Sequence, residues 1–406
     1  MQVAIIGAGP AALNAAITLR KINFQDKILM FSAEKVPPYS PAALGEYLIN
    51  NDEQLLYWLG RDAAQKYAVD FYQGEKIVEV DAEKKKIYSG KSRTFKFDKL
   101  LIASGSSLYI PPVLEGYDKE GITNFKTIAG AEKIKKLAQK GGKTAVIVGG
   151  GFLGVEIALI LSKLGIKASI LNRRSWIMPR LLDKETAEYV VRDLEKQGVN
   201  VLLNTEGKKF VGNKKVEKLI TSAGRELKAD IYIAATGVKP NISFLKESSV
   251  KTDGWSVKVD RYLKTNHPDI FACGDVAATE DLISGEKVVH GLYPVAVKHG
   301  RRAALNMIQS EQKYERQLSM NSLKEFSFKI IIVGKLKGEV LKFRDKNSLK
   351  KIYLKDNRIN GFVLLGDIRS AGLLFSLLRK RRDISYYKED LLKKNFNPAF
   401  LISRFK

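Results

Sequence analysis

Val3-Ala-Ile-Ile6 runs directly into Gly7-Ala-Gly9-Pro10-Ala11-Ala12, and mid-chain Ala145-Val-Ile-Val148 runs into Gly149-Gly-Gly151-Phe152-Leu153-Gly154. Each stretch is an apolar strand, a glycine-rich turn and the start of a helix. One such turn is weak evidence, because glycines gather in any tight turn. Two in one chain, both at a strand-to-helix junction, predict two dinucleotide sites. The first glycine permits the bend and the second lets the backbone approach a pyrophosphate. The last position, Gly or Ala, sits where helix packs on strand. Backbone N–H groups at the helix start supply donors and the positive dipole end for the phosphates. One turn at the N-terminus and one mid-chain point to electron movement from a nicotinamide to a flavin.

Outward from the first turn, Asn14 to Arg20 is apolar at the helical period and Lys27 to Phe31 reads as a second strand. Asp70 to Asp98 switches to short alternating strands, Lys76 to Val80 and Lys86 to Tyr88 among them. Leu100 to Gly105 is a buried strand ending in small residues, and Pro111-Pro112 marks a break. The second turn repeats the scheme: strand Thr144 to Val148, helix Gly154 to Leu164 capped by Gly165, strand Ala168 to Leu171, helix Lys184 to Gln197 and strand Val199 to Leu203. A hairpin region and Ile231 to Gly237 close that unit, so two half-copies of one architecture form an internal repeat at domain scale. Beyond Asn241 the pattern returns to the first unit, through Asn266 to Asp275 and a helix from Tyr293 to Met307 with Pro294 in its first turn. The tail predicts strands at Lys329 to Val333 and Lys351 to Leu354, a turn at Asn360-Gly361 and a helix from Ala371 to Leu378. The predicted fold class is α/β: two Rossmann-like three-layer ββα domains plus a C-terminal α+β domain. The expected boundaries are 1–108 with 241–318 for the first, 109–240 for the second and 319–406 for the third.

At 406 residues the chain is too long for one compact core, and 45% hydrophobic with 28% charged residues is ordinary for a soluble protein. No run approaches the roughly 18 apolar residues of a membrane span. The first strand begins at Gln2, leaving no room for a signal or transit peptide, so the expected location is cytoplasmic. The single cysteine, Cys273, excludes an internal disulfide, a redox pair and a cysteine-based metal cluster. Three histidines without H-E-x-x-H argue against zinc, and no metal is expected. Redox chemistry then falls to a bound cofactor. The net charge of +25, from 69 basic and 44 acidic side chains, creates a field that attracts an acidic protein, nucleic acid or an anionic membrane. Basic residues concentrate at Lys84-Lys85-Lys86, from Lys133 to Lys143, at Arg379-Lys-Arg-Arg382 and at Lys393-Lys394. None is interleaved with aromatics as in single-strand binders, which disfavours nucleic acid; a generally solvated basic surface is the plain alternative.

Glu34 follows the second strand where a βαβ dinucleotide fold places its ribose-binding acid, although Ser32 lies nearer the strand end and a surface carboxylate is the alternative. After the second turn the corresponding strand is followed by Asn172-Arg173-Arg174, with Arg180 beyond and no carboxylate until Asp183. An acid there selects NAD and arginine accommodates the 2′-phosphate of NADP, so the pattern leans to NADPH or dual use; arginines of a basic surface are the alternative. Glu156, near the start of its helix, could meet the nicotinamide or ribose, and is also favourable there without a ligand. Gly274-Asp275 ends an apolar strand; its carboxylate could accept from sugar-alcohol hydroxyls or cap the next helix. Cys273 reads as a small buried residue rather than a nucleophile.

Taken together, Gly7 to Ala12, Ala103-Ser-Gly105, Gly149 to Glu156, Ala235 to Asn241, Thr265 to Asp275 and Gly291 to Asn306 resemble the two-dinucleotide-binding-domain flavoproteins of the pyridine nucleotide-disulfide oxidoreductase superfamily. The resemblance implies FAD tightly bound in the first domain, exchanging NAD(P)H in the second, and a C-terminal domain that caps the flavin or forms an interface. The FAD set it implies is Gly7, Gly9, Pro10, Ala11, Ala12, Glu34, Lys35, Ala42, Ile77, Ala103, Ser104, Gly105, Gly274, Asp275, Tyr293, Pro294 and Val295. The NAD(P) set is Gly149, Gly151, Phe152, Leu153, Gly154, Glu156, Asn172, Arg173, Arg174, Arg180, Thr236 and Gly237. The helix opening at Tyr293 would face the isoalloxazine with its positive dipole end.

Within the superfamily the deciding stretch is Pro38-Tyr-Ser-Pro-Ala-Ala-Leu-Gly-Glu-Tyr-Leu48. Glutathione-type reductases carry C-x4-C near here, and the superfamily's NADH oxidases and peroxidases carry one redox cysteine. Alanine at 42 or 43 stands in that place. Oxygenase-coupled ferredoxin reductases carry Arg-Pro-x-Leu-Ser-Lys, whereas Pro41 to Glu46 puts an acid where the lysine beside the flavin would be. The stretch is most similar to a Tyr-Ser-Pro branch that includes flavin subunits of iron–sulfur oxidoreductases. Asp356 to Asp367 with Ala371-Gly372 is similar to the ends of nitrite reductase and rubredoxin reductase chains.

The expected function is FAD-dependent NAD(P)H oxidoreduction: hydride transfer between nicotinamide and flavin N5, then single-electron exchange with an acidic iron–sulfur carrier or subunit, ferredoxin- or rubredoxin-like. No side chain is required as acid or base; Glu46 and Glu156 are candidates for tuning the flavin. A homodimer is left open. One alternative is an NAD(P)H oxidase or quinone reductase, for which Phe396 to Phe405 would be a short amphipathic anchor. Another is a docking or assembly subunit, or a basic nucleic-acid-binding protein.

Overall fold

The computed structural model describes residues 1–308, 311–323 and 325–393, so Lys394 and the Phe396 to Phe405 segment lie outside the described residues. Strand Gln2–Ile6 is the centre of a five-stranded parallel sheet, in the order Ile270–Ala272, Lys99–Ile102, Gln2–Ile6, Lys27–Ser32 and Asp70–Gln73. Parallel strands covered on both faces read as continuous apolar runs, and Val3 to Ile6 and Ile28 to Phe31 are accordingly buried. Helices Pro10–Lys21 and Tyr293–Ile308 cover one face. The other carries the antiparallel sheet Ile77–Asp81, Lys86–Ser89 and Thr94–Lys96, keyed to it by the rings of Phe31, Tyr72 and Phe95 with centroids 4.8–5.0 Å apart. Layered this way, the unit is the expected three-layer ββα domain.

The second unit is the same solution built twice. Its parallel sheet runs Asn200–Leu203, Lys167–Asn172, Thr144–Val148, Ile231–Ala234 and Ile122–Thr123. Helices Ile128–Gln139, Phe152–Lys163 and Lys184–Lys196 supply its helical layer, and Gly165, at φ +75°, terminates the second of them. The antiparallel strands Gly207–Val211, Lys218–Thr221 and Glu226–Leu227 supply its third layer, with Phe210 edge-on to Tyr232. The chain passes between the units along one antiparallel ribbon, Ser106–Leu108 against Val238–Pro240. Helix Leu44–Asn50 of the first unit presses onto the second, where a Cβ on Gly45 would stand 2.8 Å from Ile160 Cδ1.

The C-terminal unit is a five-stranded antiparallel sheet ordered Met320–Leu323, Ile330–Gly334, Arg358–Leu365, Leu349–Lys355 and Glu339–Arg344, with helix Ala371–Arg379 on one face. The expected turn at Asn360-Gly361 is not there: both residues lie inside strand Arg358–Leu365. The reversal is made by Asp356-Asn357, whose φ values of +51° and +54° suit a two-residue primed turn. Gly361 serves close packing instead, since a Cβ would lie 2.5 Å from the Lys335 carbonyl oxygen, and the Asn360 amide donates to the Lys335 and Lys337 carbonyls.

The period-two alternation of Leu349–Lys355 splits the strand between two cores. Ile352 and Leu354 face helix Ala371–Arg379, while Leu349 and Tyr353 join Ala187, Val190 and Leu194 of the second domain. On that second face Lys351 pairs with Asp183 at 2.8 Å and Glu185 at 2.7 Å, and Tyr353 donates to Asp183. Ser327 donates to Asp193 and Lys163 pairs with Glu325 across the same seam. The C-terminal unit thus seats on the nucleotide-binding unit it follows in space.

Two consequences are measurable. A Cβ on Gly300 would fall 2.1 Å from the Ala11 carbonyl oxygen, where helices Pro10–Lys21 and Tyr293–Ile308 cross. Gly300→Ala is expected to lower the unfolding free energy in urea by about 2–3 kcal/mol. At Asp183 burial opposes the charge, but hydrogen bonds from Lys351, Tyr353 and Thr186 outweigh it and bring the pKa down to about 2. A depressed carboxylate stabilises the fold above its unfolded pKa of roughly 3.9 and loses that contribution as pH falls towards the folded value. The stability gap between the native chain and Asp183→Asn should therefore hold from neutral pH down to about pH 4 and close below it.

Candidate functional site

The two glycine turns have the same atomic construction. Gly7 N–H donates to the Phe31 carbonyl at 2.8 Å and Gly149 N–H to the Leu171 carbonyl at 3.0 Å. A Cβ on Gly7 would stand 2.1 Å from the Ala103 carbonyl oxygen, and one on Gly149 2.3 Å from that of Ala235. At φ of +117° and +123° neither position suits an L side chain. Gly9 and Gly151 are the N-caps of their helices, and a Cβ at either would meet nothing within 4 Å. Open space beside a helix N-terminus, where the first-turn N–H groups of Ala11 and Ala12 have no acceptor within the helix, is what a pyrophosphate requires. Pro10 occupies the first helical turn at no hydrogen-bonding cost. Gly154 packs its helix on the turn, where a Cβ would lie 1.9 Å from the Gly149 carbonyl oxygen; Ala12 fills the equivalent place, wholly buried.

Around the first turn, Gly274 sets its φ of +75° beside Ala11, and Asp275 follows in a short 3-10 turn. The Asp275 carboxylate accepts from Ser106 Oγ at 2.7 Å and meets Lys126 Nζ at 3.4 Å. Ser104 and Gly105 are tied to Asn241 by three hydrogen bonds of 2.8–3.0 Å, which fixes the mouth of the returning ribbon. Just past the neighbouring strand Lys27–Ser32, Glu34 is half-buried and accepts from the Tyr39 hydroxyl at 3.1 and 3.3 Å; burial pushes its pKa up and that bond partly restrains it. Lys35 is exposed and folds over Gly74, while the Ile77 side chain belongs to the core, leaving its backbone for any ligand contact. Ala42 is exposed in the 3-10 turn Pro41–Ala43, next to the buried Ser40, which lies within hydrogen-bonding reach of Tyr293. Pro294 is exposed and Val295 buried at the start of the same helix. Cys273 is fully buried and its thiol is pushed far up by burial, so no thiol reaches this region.

Around the second turn, Phe152, Leu153 and Glu156 are half-buried on the first turns of their helix, and Glu46 is half-buried on the facing helix. Arg173, Arg174 and Arg180 are exposed, with Arg173 3.9 Å from Glu206. Asn172 is engaged with the protein itself. Its buried amide donates to the carbonyls of Arg174 and Trp176, and a Cβ on Gly150 would collide with it, so it braces the arginine loop against the glycine turn. Thr236 donates to the Tyr109 carbonyl and Gly237 accepts from Tyr109 N–H at 2.9 Å, fastening the inter-domain ribbon beside the turn.

The family model for pyridine nucleotide-disulphide oxidoreductases matches residues 1–300. The chain belongs to that family. It is similar to the NADH oxidase of Methanocaldococcus jannaschii, 29% identical over 91% of this chain and 89% of the relative. To the nitrite reductase [NAD(P)H] of Bacillus subtilis it is 30% identical over 95% of its length, although it spans only 48% of that protein. Its fold superposes on putidaredoxin reductase, from its covalent complex with putidaredoxin, with a TM-score of 0.90 at 19% identity, covering 99% of this chain and 98% of that one. For the NADH:rubredoxin oxidoreductase of Clostridium acetobutylicum the TM-score is 0.80 at 26% identity, with 99% of each chain covered. The chain is therefore an FAD-dependent NAD(P)H oxidoreductase. Among the described residues no helix is long and apolar enough to cross a membrane.

Lys126, Ser106, Tyr39 and Asn241 are given no site role in the sequence reading: Ser106 opens the inter-domain strand, the other three lie outside helices and strands, and each acquires its role only through contact with Asp275, Glu34 or Ser104. Asp275→Ala is expected to lower FAD retention about tenfold, the scale of a lost charge-assisted hydrogen bond, read as the flavin-to-protein absorbance ratio after gel filtration.

Proposed function

We propose that this flavoprotein takes hydride from NAD(P)H, with NADPH preferred, and delivers electrons singly to an acidic iron–sulfur protein. The observation that carries this is Ala42, together with the complete burial of Cys273. A family member with no thiol beside the flavin has no relay for disulfide, persulfide or peroxide chemistry. The flavin must then exchange electrons with its partner directly. Bound FAD, held by the first glycine turn, Glu34 and Asp275, would supply the passage from a two-electron donor to a one-electron carrier. The net charge of +25 supports an acidic partner. So does the likeness to proteins whose names include a rubredoxin oxidoreductase and an assimilatory nitrate reductase electron transfer subunit, the latter from Bacillus subtilis. Arg173, Arg174 and Arg180, exposed and unaccompanied by an acid at position 172, support the 2′-phosphate. The Methanocaldococcus relative's name favours oxygen as a second acceptor.

Anaerobic stopped-flow reduction with NADPH and NADH, then mixing with ferredoxin, rubredoxin, quinone or oxygen, tests both parts. Flavin bleaching should be faster with NADPH, and reoxidation fastest with an iron–sulfur carrier, slowing about tenfold as salt rises from about 50 to about 500 mM. A rate indifferent to salt rules out electrostatic docking, and a clear preference for NADH rules out the arginine reading.

A further inference from the structure

The arginine-bearing loop of the second domain exposes Arg173, Arg174 and Arg180, buries Ile177 and Met178 between them, and is fastened along its length. At its entry the Asn172 amide holds the Arg174 and Trp176 carbonyls at 2.8 Å. Midway, Met178 N–H donates to the Gly150 carbonyl of the glycine turn at 2.8 Å, and Trp176 Nε1 donates to the Leu182 carbonyl at 3.2 Å. At its exit Asp183 caps helix Lys184–Lys196 through one carboxylate oxygen, accepting from Thr186 N–H at 2.7 Å. The other oxygen is held by the C-terminal unit, through Lys351 and Tyr353.

Lys351 is buried, as is its neighbour Lys350, whose ammonium donates to the Leu391 carbonyl. The Lys351 side chain is only 5% exposed and faces two carboxylates, Asp183 at 2.8 Å and Glu185 at 2.7 Å. Exposed pairs, such as Lys342 with Glu185, loosen at little cost because water replaces the partner. A buried ammonium has no such replacement, so its carboxylates are held to one geometry. The loop exit is accordingly as well placed as the domain that grips it.

We propose that Lys351 is a positioning residue for coenzyme choice: from the C-terminal unit it fixes Asp183, and so the arrangement of Arg173, Arg174 and Arg180 around a phosphomonoester on the adenosine ribose. The inference rests on the reading that these arginines receive the 2′-phosphate of NADPH. Arginine binds phosphate through a planar fork, so recognition depends on where the guanidinium groups stand. The rest of the nucleotide would lie on the glycine turn, which meets the loop at its entry and midpoint, through Asn172 and Met178, and not at the Asp183 exit that Lys351 grips.

Calorimetric titration of the FAD-loaded chain with adenosine 2′,5′-bisphosphate and with ADP separates the two contributions. In Lys351→Met the bisphosphate should bind about fivefold more weakly while ADP, lacking the 2′-phosphate, changes less than about twofold; Lys351→Arg should recover most of the loss. Amide exchange across residues 173–182 should quicken in the methionine variant. Unchanged bisphosphate binding in Lys351→Met, or an equal loss for ADP, overturns the proposal. The double variant Arg173→Ala/Arg174→Ala is the control on the coenzyme reading. If it binds bisphosphate normally, that reading fails and this inference with it; if it weakens while Lys351→Met does not, only the inference fails. Should the methionine variant not accumulate folded, Glu185→Gln breaks the same cluster from its exposed side and is judged by the same criteria.

Discussion

At Gly7 and Gly149 the backbone runs so close to the carbonyls of Ala103 and Ala235 that a Cβ would stand 2.1 and 2.3 Å away. This contact locks the end of the central strand to the end of its neighbour in each parallel sheet, and it brings a helix N-terminus to the carboxyl edge of the strands. Everything that defines the nucleotide sites is measured from there. Asp275 arrives on the next strand over, Glu34 on the one opposite, and the arginine loop follows the corresponding strand of the second unit. Crevices at the carboxyl ends of such sheets are where dinucleotides lie, because donors and dipole ends converge there.

The electrostatic design follows from this frame. A charge of +25 is spread over a surface on which many basic residues already have partners: Lys85 and Lys99 share Asp269, and Arg379 pairs with Glu315. The basic run Lys133 to Lys143 is partly spent on structure, with Lys133 donating to the Ile122 carbonyl and Lys135 lying over the Tyr47 ring. The basic residues are thus dispersed over several elements and partly paired, and a net charge of that size supports the proposed acidic partner. Position 42 bears on the proposed electron exchange, since alanine offers no thiol there.

Much of the fold was legible because it repeats a local grammar. Both glycine turns, the parallel strands around them and the helix with Pro294 in its first turn are short-range patterns of period and punctuation. Reading failed where a local signal had a competitor in space. Asn360-Gly361 carries the strongest dipeptide signal for a hairpin, yet Asp356-Asn357 turns the chain and Gly361 is reserved for the Lys335 carbonyl that crosses it. Asn172 also has a task in space that no local pattern announces: its amide closes the loop beneath the arginines.

The amino-acid sequence by itself determined the two nucleotide-binding units, their order, the missing thiol and the sign of the surface, because each is written in residue type and spacing along a few dozen positions. Only the tertiary structure decided that Lys126 and Ser106 meet Asp275, that Tyr39 meets Glu34, and that Lys351 grips the exit of the arginine loop from another domain. Those contacts join residues 5 to 169 positions apart through burial and hydrogen-bond geometry, and a charge buried beside its partner leaves no mark in the sequence that names the partner.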